Sequence, residues 1–236
     1  MSADFLSQFG TTDHKKKLLN LDDGRAAMAK NGTDEDRETI TKHLCDTHNW
    51  TRAGSTTQVL SPGAKSAARH IATLGTDSQR TRLMGTTLGH EEHTACALAQ
   101  HGDKSIKDEL VSHPSPRVRT EVAFHGDSSH RDKLVKDPDS NVRIAVAQFG
   151  NDNHHKALMN DPDVLVRRRV IGKTENPDII SHMHTHDPDE MTKKMAHNRP
   201  QEISKRKAMM KDFFSKHGND PLLKTESLLN IARNLV

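Results

Sequence analysis

The sequence predicts an all-α solenoid built from two-helix repeats of about 24 residues. Three observations lead there. Asp137-Pro138-Asp139 recurs as Asp161-Pro162-Asp163, and His113-Pro114 lies the same distance before it. Fixed columns of Val, Arg, Ala and Gly follow each of these turns at constant phase. The apolar material is also sparse, with 32% hydrophobic and 3% aromatic residues against 28% charged. That composition tends toward disorder unless the apolar residues recur regularly. Stacked repeats satisfy the condition, because neighbours share one continuous core and each needs only a few apolar columns.

Within each repeat the first helix carries Val118, Val142 and Val166, each followed four residues later by Val122, Val146 and Val170. That spacing puts each pair on one helix face. Ala99, Ala123 and Ala147 come next, where neighbouring helices need close approach. Gly102, Gly126 and Gly150 end the helix and are expected to cap it in the left-handed conformation. A polar turn leads to a second, shorter element carrying Leu110-Val111, Leu134-Val135 and Leu158-Met159. The Asp-Pro-Asp turn then opens the next repeat, with an Asp as N-cap and Pro near the first helical turn. The period leaves room for about ten residues of helix, a turn, and two short turns of a second helix.

Fainter copies extend the array. Phe9 to Asn20 parallels Phe149 to Asn160, so the chain is expected to begin with the second half of a repeat. Further copies start at Arg25 and Lys65, whereas His43 to Ser61 fits poorly, as a distorted repeat or a break. Asp187-Pro188-Asp189 follows Asp161 at a slightly longer interval, a stretched copy. Beyond it the pattern decays into an amphipathic segment suited to capping an open-ended array. The expected organisation is one continuous solenoid: partial and degenerate repeats over 1–61, a regular array over 62–186, and a divergent repeat with a C-terminal capping helix over 187–236.

The column pattern of Asp-Pro-Asp, Val-Arg, Val-Ala and Gly followed by a Leu-containing turn resembles the leucine-rich repeat variant and, more broadly, short HEAT-like repeats. The resemblance is strongest over 89–172. It implies a right-handed solenoid whose second element is α or 3₁₀. A protein of the variant type can carry an N-terminal cysteine cluster that binds iron–sulfur. Cys45 and Cys96 are the only cysteines here, so no such cofactor carries over and none is expected.

Two cysteines are too few for a disulfide framework and point to a reducing compartment. The N-terminus lacks a basic start followed by an apolar run, and no stretch approaches a membrane span. A cytoplasmic protein with no membrane partner is expected. Net charge is only +3 with histidines neutral, and the whole excess falls from Asp161 onward. The 17 histidines make surface charge responsive to mild acid.

Arg119, Arg143 and Arg167 could track the phosphates of an anionic backbone. The preferred reading is a structural ladder in which each of the three, Arg119, Arg143 and Arg167, pairs with an aspartate of its own or the next turn, such as Asp137 or Asp161. Arg167, Arg168 and Arg169, with Lys193, Lys194, Lys205, Arg206 and Lys207, are better candidates for an anionic partner. Three successive arginines point in three directions, so at least two exceed what a ladder needs. Histidine clusters at His90 and His93 with Cys96, at His43 to His48, and at His182 to His186 offer zinc-type ligands, but none has the paired spacing of a zinc module, and no metal is expected. No phosphate-binding loop, nucleophile elbow or His-Glu-x-x-His motif appears. The expected function is a non-enzymatic interaction module binding a protein partner, as inhibitor or adaptor. The alternatives are electrostatic binding of duplex DNA or structured RNA through the basic C-terminal repeats, and a HEAT-like DNA-modifying enzyme. The last would need aromatic side chains lining a cleft, and Trp50 alone is little to build one from.

Overall fold

In the computed structural model, residues 2–47 and 60–217 are described. Among them are fifteen α-helices and no strand. The chain divides into two compact units, Met1–Phe149 and Gly150–Val236. That boundary falls inside the stretch 62–186 expected to form one array.

The first unit contains α1 (Ala3–Phe9), α2 (Thr12–Leu19), α3 (Asp22–Asn31), α4 (Asp34–Thr47), α5 (Pro62–Leu74), α6 (Asp77–Met84), α7 (Glu92–His101), α8 (Lys104–Leu110), α9 (Pro116–His125), α10 (Ser128–Leu134) and α11 (Ser140–Phe149). Odd-numbered helices pack in series, α1 on α3, α3 on α5, and so on to α9 on α11. The columns read from sequence make this interface: Val118, Val122, Ala123, Val142, Val146 and Ala147 are all fully buried. The small alanines let helix axes approach, and the β-branched valines fill the remaining space in restricted rotamers. Leu110 and Leu134 close the core from the short helices at 1% and 2% exposure.

The second unit contains α12 (Asp152–Leu158), α13 (Val164–Lys173), α14 (Pro177–His186) and α15 (Glu190–His217). Here α15 packs against both α13 and α14. Val166, Val170, Ile171 and Met183 are fully buried in this unit. No helix among the described residues is long and apolar enough to cross a membrane.

Several expectations need correcting. The chain does not begin with half a repeat: α1 precedes α2, capped by the Ser2 side chain, which accepts from the Phe5 N–H. Of the two forms expected for the short second elements, α8, α10 and α12 take the α-helical one. The helix-ending glycines are not left-handed, since Gly102 has φ −72° and Gly126 φ −80°, and no described residue has positive φ. Glycine is needed at Gly126 for close approach instead: a Cβ there would stand 2.5 Å from the Val122 carbonyl oxygen. In the Asp-Pro-Asp turns it is the second aspartate that caps. Asp163 accepts from the Leu165 N–H at 2.7 Å, and Pro162 stays outside the helix.

The stretch 43–61 is described only in part. Across it α5 nevertheless packs directly on α3. Ser61, the N-cap of α5, donates to Asp22 at 2.8 Å, and Gly63 sits so close that a Cβ would meet the Asp22 backbone at 2.4 Å. Trp50 and the amphipathic segment at the C-terminus lie outside the described residues.

Candidate interaction surfaces

The arginine column follows from its phase. One residue past each buried valine, the side chain leaves the core at the turn and meets the next one. Arg119 donates from Nε and Nη2 to the two Asp137 carboxylate oxygens at 2.7 and 2.8 Å, while Nη1 donates to the His113 and Pro114 carbonyls at 2.8 and 2.9 Å. In the second unit Arg167 donates to Asp187 at 2.9 and 3.3 Å and to the Asp161 carbonyl at 2.8 Å. Arg143 donates to the Asp137 and Pro138 carbonyls at 2.8 and 3.2 Å. Asp161 and Asp187 also accept from the backbone N–H two residues on. Burial alone would raise the Asp137 carboxyl. The Arg119 hydrogen bonds, the Asp139 N–H and the nearby guanidinium charges outweigh it and hold the group below its ordinary value. Planar guanidinium forks with every edge used bind two turns together. Side chains so engaged, and in Arg119 and Arg167 so buried, do not offer a track to an external phosphate backbone.

The basic C-terminal set is also largely committed. Arg167, expected on a binding face, is 7% exposed and belongs to the pair with Asp187. Arg168 forks onto Asp189 at 3.0 and 3.1 Å, and Lys193 reaches Glu190 at 2.9 Å. Arg206 and Lys207 both lie on Glu175. At least five of the eight expected cations thus meet carboxylates: Lys193 pairs within its own helix, whereas Arg167, Arg168, Arg206 and Lys207 meet acidic residues about twenty to thirty positions away in the chain. Arg169, Lys194 and Lys205 are exposed. Lys205 borders a shallow hollow of about 320 Å³ with Arg199, Glu202 and Met209.

Histidines turn out to have specific structural positions. His14, His130 and His154 each sit third in a short helix and complete a capping box: the N-cap side chain accepts from the histidine N–H, and histidine Nδ1 accepts from the N-cap N–H. Gln79 does the same in α6. His90, His93 and Cys96 do not converge. His90 faces Glu109 at 3.5 Å, His93 faces Glu91 at 3.2 Å, and Cys96 is buried. Burial pushes the Cys96 thiol up to about 11, with Glu121 adding to the rise. Among the described residues no group of three or more His, Cys, Asp or Glu side chains is placed to hold a metal.

A second cationic column escaped the sequence reading. Arg80 donates to the Ala72 and Thr73 carbonyls at 2.8 and 3.2 Å, and Arg131 to those of Ala123 and Phe124 at 2.9 and 3.3 Å. Arg37 and Lys107 reach the Gly32 and Gly102 carbonyls in the same way. Each occupies the fourth position of an even-numbered helix and satisfies carbonyls at the negative end of the odd-numbered one before it. The signal was present as Lys107 and Arg131, one repeat apart, but it was hidden among the many other charges.

The phenylalanines are the anomaly. Phe ranks among the residues most often buried, yet Phe5, Phe9, Phe124, Phe149 and Phe213 are between 41% and 71% exposed. The core is built instead from Ala, Val, Leu, Ile and Met. In the first unit, Phe9, Leu74, Phe124 and Phe149 all lie in the last turn of odd-numbered helices, and Leu74 is 48% exposed. Of these, the ends of α9 and α11 are adjacent. The Phe124 and Phe149 rings touch, with centroids 4.7 Å apart. Phe5 and Phe9 stand 5.2 Å apart.

Comparison with protein-family models, curated proteins and solved structures finds no match to this chain.

Proposed function

We propose that the chain is a non-enzymatic, cytoplasmic solenoid of HEAT-like or leucine-rich-repeat-variant repeats that binds a protein partner as an adaptor or inhibitor. The observation that carries this reading is the exposed, touching pair Phe124 and Phe149 of the first unit. Exposed aromatic rings are favoured anchors at protein interfaces, because they bury much area at small entropic cost. Serial packing of the odd helices and the regular sequence period support the solenoid. Against electrostatic nucleic-acid binding stand the carboxylate partners of Arg167, Arg168, Lys193, Arg206 and Lys207.

The test is affinity capture from native lysate, scoring proteins and nucleic acids together, with wild type beside a Phe124→Ser/Phe149→Ser variant. A stoichiometric protein retained by wild type and lost by the variant is expected. Absence of any such protein, or its undiminished retention by a folded variant, overturns the reading. A salt-sensitive DNA or RNA shift abolished by charge reversal at Arg169, Lys194 and Lys205 would favour the electrostatic alternative.

A further inference from the structure

We propose that His184 and His197 form a two-histidine clamp for a borderline divalent transition ion of the zinc class, stapling α14 to α15. The two rings come from different helices of the second unit, and their centroids stand 5.2 Å apart with planes tilted by 39°. A Zn–N distance of about 2.0–2.1 Å at a roughly tetrahedral angle places the centroids of two ligating imidazoles about 5 Å apart. The rings are therefore already separated as a shared ion requires.

Their surroundings agree. His184 Nδ1 lies 3.3 Å from the Lys193 carbonyl. An Nδ1–H donated there leaves the Nε2 lone pair for a ligand, which is how metal-binding histidines are usually held. Both side chains are exposed, so an ion can reach them. They border a groove of about 500 Å³ whose floor includes Ile180, Ala196, Pro200 and Ile203. An apolar floor strengthens the attraction between an ion and its ligands. The chain supplies two ligands, and water or a bound partner fills the remaining positions, so the ion is exchangeable rather than a closed structural centre. Imidazole suits zinc, copper and nickel and not magnesium.

The neighbouring pair His182 and His186 is the natural control. Its centroids are 4.8 Å apart, but the planes are nearly parallel at 19° and His182 Nε2 is engaged with the Asn160 side chain at 3.1 Å.

The experiment titrates the full chain with zinc chloride, following heat and the histidine ring resonances, with magnesium chloride as a blank. Saturable binding that shifts the His184 and His197 resonances is expected. His184→Gln and His197→Gln should each weaken it at least tenfold while circular dichroism stays unchanged. His182→Gln should leave it intact. No saturable zinc binding, or binding unaffected by His184→Gln and His197→Gln, overturns the proposal. This inference does not depend on the protein-partner reading.

Discussion

His113 reaches the His90 carbonyl at 3.0 Å and so takes the place of an aspartate and an arginine at once. Its Nδ1 accepts from the Ser115 N–H at 3.1 Å, as the Asp137 carboxylate accepts from Asp139 at 2.9 Å. The proton is thereby placed on Nε2, which donates to the His90 carbonyl. Elsewhere in the column that kind of carbonyl, five residues before the arginine, receives an Nη1–H, as Pro114 does from Arg119. Here the arginine position is Ala95, which is fully buried, and the ring spans the gap alone. Ala95→Arg should overpack, and His113→Asp should leave a buried carboxylate without its cation. Each single change is expected to cost about 2–4 kcal/mol. Together they recreate the Arg119–Asp137 arrangement, so the double variant should recover at least about 2 kcal/mol of coupling in a urea-denaturation cycle. Simple additivity would show that the two rungs are not equivalent.

The pairs differ in burial, and their contributions should differ with it. Arg119 and Asp137 have side chains 13% and 4% exposed, whereas Arg168 and Asp189 are at 36% and 27%. Removing one member of the first pair strands a buried charge, so Arg119→Ala should destabilise the chain by about 3–5 kcal/mol. Arg168→Ala should cost under about 1 kcal/mol. Arg119→Lys should not restore stability, because an ammonium cannot fork across both carboxylate oxygens and two carbonyls. Equal denaturation midpoints for Arg119→Ala and Arg168→Ala would contradict this ranking.

Acid should act in two stages. Burial, first among the causes, lowers the folded-state pKa of His43, His90 and His101. Stability from a depressed histidine is present above its ordinary value of 6.5 and is lost as pH falls through the folded one. Below about pH 4 the carboxylates follow. For Asp36 and Asp137, burial raises the pKa, but hydrogen bonds from Lys15 and Arg119 respectively outweigh it and leave both below 3.8. Their stabilisation is complete above 3.8 and disappears as pH drops through the depressed values. Denaturation measured across the acid range should show a shallow decline starting near about pH 6.5 and a steeper one below about pH 4. Asp137→Asn should flatten only the second, and a second decline of unchanged slope would sink the assignment.

Periodic features were legible and aperiodic ones were not. The valine and alanine columns announced a packed face because the repeat carries their phase from one copy to the next. The ladder was readable because Arg and Asp recur together. The glycines misled, since the same letter serves a left-handed cap or a close contact, and only the backbone angles separate the two. Helix α1 was missed because Ala3–Phe9 is a single short copy lacking the valine column. The charge surplus around Arg167 to Arg169 looked available because Asp187 and Asp189 follow far later in the chain, beyond what helical spacing relates. The exposed phenylalanines could not be distinguished from core residues by composition at all, since Phe at a helix end fits either role.

The capping boxes carry a substitution already tried elsewhere in the chain. His130 is 1% exposed in the box closed with Asp127, and its Nδ1 accepts from the Asp127 N–H at 3.0 Å. At the matching place in α6, Gln79 is 2% exposed and its Oε1 accepts from the Thr76 N–H at the same distance, 3.0 Å. An amide oxygen thus performs the task of the imidazole nitrogen in an equally buried setting. His130→Ala removes the acceptor of the Asp127 N–H and opens a void at a buried position, at an expected cost of about 1–3 kcal/mol. His130→Gln should restore all but about 0.5 kcal/mol of that, because the reciprocal bond is what the position requires. If urea denaturation finds both variants equally unstable, ring packing rather than the capping bond holds α10 in place.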